Sequence, residues 1–328
     1  LCTAPLDFYE LEIAALAQPQ VFEGFEEDGE RGRMRRLGLG RFDAMRVGTV
    51  MWPIEDWPAM GERWVQAEQL GFETAWVYDH LAWRGHSPWE EAFTSMAAAA
   101  ALTSTIRLGT LVTTPNFRTP IPTAAAIRSL DRISGGRVTI GIGAGGDDHT
   151  SDGDVLGLEF TPRERADRFA EWTRTVDRLL RESPVTIDGE HWQTREVTVS
   201  PGQVQQPRTP LWLAGNGPRG IRLAAEVGDG WIANPGGEDP KAYVAQRLDM
   251  LREACEKAGR DYAAMPKLFM SGFTDEPWTE SADAFEDLAS AYAEIGITDI
   301  ALHWPRAGTR WELSQQVFEA IAERAADL

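Results

Sequence analysis

Asp79 and His80 stand side by side at the end of a short apolar run, Thr74–Tyr78. A histidine at such a strand end titrates near neutrality and serves as an acid or a base. Its neighbouring aspartate is suited to bond a ligand or orient a partner. Downstream, Gly141-Ile142-Gly143-Ala144-Gly145-Gly146 spells a G-x-G-x-x-G pattern after another apolar run. A dinucleotide site requires the third glycine to open a helix at once. Here Asp147, Asp148, His149, Thr150, Ser151, Asp152, Gly153 and Asp154 follow instead, which is loop chemistry whose negative charge repels a pyrophosphate. The glycines do permit a flat ligand to approach the backbone closely. Gly215-Asn216-Gly217-Pro218-Arg219 is a better anion turn, because a helical pattern (Ile221, Leu223, Ala224, Ala225, Val227) begins there. Exposed N–H groups at a helix start hold phosphate, and Arg219 and Arg222 add positive charge. Trp52, Trp83 and Trp304 fall on strand-end segments and suggest an aromatic wall, whereas Trp64 and Trp172 lie on apolar helical faces and read as core.

These positions need a scaffold that gathers strand ends. Eight strands are expected at Val47–Met51, Thr74–Tyr78, Ile106–Leu111, Val138–Ile142, Leu211–Ala214, Gly230–Ala233, Lys267–Gly272 and Asp299–His303. Most are apolar on consecutive residues, as parallel strands covered on both faces are. Helical patterns separate them. Met60, Trp64, Ala67 and Leu70 share one face before Gly71, and Phe169, Trp172, Val176 and Leu179 share another. Thr161-Pro162-Arg163-Glu164 is a capping box with proline at the first helical position. Asp239-Pro240 opens a further helix that Gly259 ends. Val185–Val199 breaks the alternation and reads as an inserted hairpin turning at Asp188-Gly189. The expected architecture is therefore α/β: a (β/α)₈ TIM barrel over residues 46–328, with a hairpin insertion between its fourth helix and fifth strand. Residues 1–45 form an extension with charge clusters and no sustained periodicity.

Composition narrows the partners. The chain has 328 residues, and 32 Lys+Arg against 51 Asp+Glu leave a formal charge of −19. No net cationic field is available to draw in nucleic acid or an anionic membrane. Its two cysteines, Cys2 and Cys255, suit a reducing cytoplasm and neither a zinc ribbon nor a disulfide scaffold. The acidic residues between positions 7 and 30 are unlike a secretory signal. Asp147, Asp148 and His149 lack the further well-spaced ligands that a metal would need, so no metal is expected. Nucleophile-elbow, Walker and zinc-protease signatures are absent.

Taken in order, the motifs resemble the luciferase-like flavin oxidoreductase family, and within it the branch that depends on the deazaflavin coenzyme F420. The resemblance is carried by Glu68-Gln69-Leu70-Gly71-Phe72 leading to Trp76-Val77-Tyr78-Asp79-His80, and by Arg107-Leu108-Gly109-Thr110 with Thr114-Pro115 and Phe117-Arg118. Asp131-Arg132-Ile133-Ser134-Gly135-Gly136-Arg137 before the glycine run, Arg163-Glu164-Arg165, Pro210-Leu211-Trp212-Leu213-Ala214-Gly215 and Gly228-Asp229-Gly230-Trp231 extend it towards the C-terminus. The resemblance implies that His80 is the active-site base and that Trp83, followed by Arg84, lies near the reacting substrate. It implies that Asp79 bonds the ring or ribityl region, and that Leu111-Val112 is a peptide, often cis, behind the ring. Thr114, Gly143, Gly145 and Ala214 would line the cofactor, and Gly215 and Gly217 would hold its phosphate. Two departures stand out. The spacing to Trp83 is one residue short, and Gly146-Asp147 occupies the place where sugar-phosphate dehydrogenases of this branch carry a glutamate.

The leading functional expectation is hydride transfer between coenzyme F420 and a small organic substrate. An FMN-dependent monooxygenase of the same fold is the alternative, and a flavin-binding barrel without turnover is a third. A homodimer is expected from the resemblance.

Overall fold

In a computed structural model, residues 45–83, 88–146 and 151–325 are described. The expected extension, Arg84 and the Asp147-Asp148-His149 cluster fall outside them. The elements run in the order β1 (Arg46–Met51), α1 (Trp57–Gln69), β2 (Thr74–Val77), α2 (Ala92–Leu102), β3 (Arg107–Thr113) and α3 (Pro120–Ile133). There follow β4 (Val138–Gly143), α4 (Ser151–Leu156), α5 (Pro162–Arg181), β5 (Val185–Asp188), β6 (Gln193–Val197), β7 (Leu211–Ala214) and α6 (Pro218–Val227). The last are β8 (Gly230–Ala233), α7 (Pro240–Ala258), β9 (Lys267–Met270), α8 (Ala282–Glu294), β10 (Asp299–His303) and α9 (Gln315–Ala325).

Eight strands close a parallel barrel in the order β1-β10-β9-β8-β7-β4-β3-β2. This is the expected (β/α)₈ fold, and its strands match the eight apolar runs to within one or two residues at their ends. The lower interior is filled by Trp76 from β2 and Trp212 from β7, whose rings lie 5.4 Å apart across the barrel. Glycines on adjacent strands make the room. A Cβ at Gly109 would come within 2.4 Å of the Trp76 ring, and one at Gly230 within 2.7 Å of Trp212. The helices begin and end as their sequences dictate. Thr161 and Glu164 form the reciprocal capping box of α5, Asp239 caps α7 through Ala242 N–H, and Gly259 ends α7 at φ +65°.

The insertion is the two-stranded β5–β6 sheet. Its turn is displaced from the expected Asp188-Gly189 position. Asp188 pairs with Gln193 and Gly189 N–H donates to the Trp192 carbonyl at 3.1 Å, leaving residues 190–191 at the tip of the 189–192 loop. The Glu171 carboxylate of α5 supplies the reason. It accepts from the N–H groups of Glu190, His191 and Trp192 at 3.2, 3.0 and 2.7 Å, so the loop is shaped by a helix beside it. A second difference is α4. The run after the fourth-strand glycines reads as loop, yet Ser151–Leu156 is a short helix.

Candidate active site

The C-terminal ends of β2, β3, β4 and β7 are neighbours in the barrel, and the described residues expected to be catalytic or to line the cofactor lie on this arc or in the loops that continue it, whereas the rim tryptophans Trp52 and Trp304 follow β1 and β10. At β2, strand alternation turns Tyr78 inward and Asp79 outward. The Tyr78 hydroxyl lies 2.5 Å from Nε2 of His303, the last residue of β10. His303 is fully buried and packs on Trp52 and Trp311 at 5.2 and 5.1 Å between ring centres. Burial, with Arg310 nearby, pushes its pKa down to about 3, so the ring is neutral.

Asp79 is buried, and both its oxygens face Arg118, with Nε to Oδ2 at 2.5 Å and Nη2 to Oδ1 at 2.6 Å. The guanidinium also pairs with Glu91 and lies 4.3 Å over the Phe93 ring. Burial pushes the Asp79 carboxyl above its usual range, and Arg118 opposes that push. The carboxylate is thus engaged with Arg118 inside the protein.

His80 is held by a residue the sequence did not single out. Its Nδ1 lies 2.5 Å from Oδ2 of Asp152, on α4. The other oxygen of Asp152 accepts from the N–H groups of Leu81 and Ala82 at 2.8 and 3.1 Å. Asp152 is buried, whereas the His80 side chain is 24% exposed. No local pattern marks this carboxylate, since 72 residues separate it from its partner.

Trp83 is central to the aromatic wall. Its ring lies 6.3 Å from His80, 6.0 Å from Tyr78, 5.9 Å from Trp52 and 5.9 Å from Trp89. Trp304, expected in this wall, is not part of it. One residue beyond His303 it faces outward and packs 5.0 Å from Phe318 of α9, while its carbonyl accepts from Trp52 Nε1. Trp311 takes its place, 4.7 Å from Trp52.

Leu111-Val112 is a cis non-proline peptide. Its side chains meet the glycine run: a Cβ at Gly143 would lie 2.7 Å from Val112 Cγ2. Gly145 has φ +81°, and a Cβ there would come within 2.7 Å of Thr114 Oγ1. Gly143 pairs with Ala214 across β4 and β7. From this junction a cavity of about 550 Å³ runs to the start of α6, lined by Gly145, Ala214, Gly215, Gly217, Arg165 and Arg222 among others. Gly217 caps α6 without a side-chain bond, and Pro218 follows, so the first-turn N–H groups keep no side-chain cap. Gly215 permits this shape, because its Cβ would sit 2.9 Å from Gly220 Cα. Arg165 presents a buried Nη1 with no hydrogen-bond partner. Arg219 lines the same space and pairs with Asp167. Such a site suits a ligand with a planar head at the barrel mouth and an anionic group at α6.

Among the described residues, no group of three or more His, Cys, Asp and Glu is placed to hold a metal ion, and no helix is long and apolar enough to cross a membrane.

Known proteins resemble this chain in sequence and fold. The chain is 37% identical over 280 residues to an F420-dependent glucose-6-phosphate dehydrogenase of Beutenbergia cavernae, covering 78% of this chain and 80% of that one. It is 29% identical over 269 residues to the 5,10-methylenetetrahydromethanopterin reductase of Methanopyrus kandleri, covering 78% and 73%. Among solved structures, an F420-dependent secondary alcohol dehydrogenase in complex with an F420-acetone adduct superposes with a TM-score of 0.72 at 19% identity, over 85% of this chain and 99% of that one, which supports the barrel fold. The profile of the luciferase-like monooxygenase family matches residues 37–316. With the closed barrel and its glycine-lined strand ends, these matches make the chain a member of the luciferase-like monooxygenase family.

Proposed function

We propose that this protein is a coenzyme F420-dependent oxidoreductase that transfers a hydride between the deazaflavin and a small organic substrate. The observation that carries the reading is the cavity joining Gly145 and Ala214 to the bare first turn of α6, with Arg165 and Arg222 among its lining residues. The residues fit the cofactor. Glycines leave space for a flat ring, and unpaired donors await an anionic tail. The F420-dependent dehydrogenases among the relatives point the same way.

When bound, the deazaflavin supplies a two-electron acceptor or donor at its C5 carbon. Everything else falls to the chain. Val112 and Gly143 form a floor at the strand ends, and Thr114, Gly145 and Ala214 flank it. Gly215, Gly217 and the N–H groups of Arg219 and Gly220 would hold the phosphate, with Arg165 and Arg222 adding charge. Trp83 closes the substrate side and excludes water. His80 takes the proton of a substrate hydroxyl, or returns it to a carbonyl, as the hydride moves. Asp79 contributes by fixing the end of β2 through Arg118.

A fluorescence titration of the purified protein with F420, and separately with FMN, tests the reading. Tight binding of F420 alone is expected, followed by loss of its 420 nm absorbance with glucose 6-phosphate or 2-propanol as trial hydride donors. Preference for FMN with oxygen consumption overturns it in favour of a monooxygenase.

A further inference from the structure

We infer that Asp152 is the positioning carboxylate of the site: it fixes the tautomer of His80 and so decides which ring nitrogen is the base. The inference deepens the reading of His80 as the proton acceptor and rests on it.

The geometry divides Asp152 into two jobs. Oδ1 accepts from Leu81 and Ala82 N–H and so shapes the turn after His80. Oδ2 is left for His80 Nδ1, 2.5 Å away. An ionised carboxylate only accepts hydrogen bonds. Neutral His80 must therefore carry its proton on Nδ1, leaving Nε2 as a bare lone pair. Nδ1 is occupied and the ring is part-exposed, so Nε2 is the nitrogen free to meet a substrate. When Nε2 takes the substrate proton, the imidazolium forms against a buried negative charge already in place. The same carboxylate joins α4 to the turn after β2.

Asn at position 152 separates the two jobs. Its Oδ1 retains the bonds to Leu81 and Ala82. Its amide nitrogen, a donor, would face Nδ1 and drive the proton to Nε2, removing the lone pair from the site. A merely structural Asp152 tolerates this exchange, and a tautomer-fixing one does not.

The test uses full-length protein labelled with ¹⁵N-histidine, with His80 assigned through the His80→Gln variant. Two-bond nitrogen–proton correlations read the tautomer directly and need neither cofactor nor substrate. The wild type should show the Nδ1–H form, D152N the Nε2–H form, and D152E, which keeps a carboxylate, the Nδ1–H form again. In F420 reduction by whichever trial donor is active, D152N should lose about 10²–10⁴-fold in kcat with the F420 dissociation constant unchanged. An Nε2–H form in the wild type, an unchanged tautomer in D152N, or an undiminished kcat would each overturn the inference. Loss of F420 binding by the wild type would instead overturn the cofactor reading, and the tautomer measurement would still decide the role of Asp152.

Discussion

Arg118 grips Asp79 through two parallel hydrogen bonds while its guanidinium lies over the Phe93 ring, so one side chain ties the ends of β2 and β3 to α2. Breaking one side of a buried ion pair leaves the other charge uncompensated, at a cost of about 3–5 kcal/mol. Arg118→Ala should lower stability by that amount in urea unfolding. Asp79→Asn combined with Arg118→Met, which removes both charges, should recover most of it. Additive losses in the double variant would show that the pair is not the source of the effect.

His80→Ala should reduce hydride transfer by about 10²–10⁴-fold, with F420 affinity changed only slightly. His80 Nδ1 faces Asp152, and His80 is not among the residues lining the cavity at α6. An intact transfer rate, measured in single-turnover F420 reduction, would remove His80 from the mechanism.

His303 makes stability depend on pH. Its pKa in the fold is about 3, against an ordinary 6.5, so the unfolded chain binds a proton that the native ring refuses. Stability is therefore lost as pH falls below 6.5, by about 2 kcal/mol at pH 5. Unfolding free energies from urea titrations at pH 7 and pH 5 should differ by that much more in the wild type than in His303→Gln. Equal shifts in the two proteins would assign the acid sensitivity elsewhere.

Gly215→Ala probes the anion turn. The added Cβ would lie 2.9 Å from Gly220 Cα, a backbone atom that yields only if the turn opens. F420 affinity should weaken at least tenfold, or about 1.4 kcal/mol, whereas a deazaflavin lacking the phosphate should bind as before. A parallel loss for both ligands would place the phosphate somewhere other than α6.

Much of the barrel was legible because parallel strands, covered on both faces, read as unbroken apolar runs such as Ile140-Gly141-Ile142 and Trp231-Ile232-Ala233. Caps were legible because Thr161–Glu164 and Asp239 act within four residues of themselves. What escaped was long-range or depended on parity. Ser151-Asp152-Gly153-Asp154 has the composition of a loop, and only its tertiary bonds to His80, Leu81 and Ala82 reveal why a helical turn is kept there. Trp304 and Trp311 are both plausible rim tryptophans, and a single residue's shift beyond His303 decides between them. The hairpin turn departs from the local Asp188-Gly189 preference for a similar reason, since Glu171, distant in sequence, holds the N–H groups of residues 190–192.

That carboxylate gives the insertion a mechanical meaning. Glu171 clamps the 189–192 loop to the same helix that presents Arg165, Phe169 and Arg174 to the cavity. The hairpin is thus an outrigger for α5: it braces from outside the wall against which an anionic tail would rest. Changes in its loop would loosen cofactor grip without touching the cofactor, and the insertion is a place where evolution or design could tune retention independently of the chemistry at the barrel mouth.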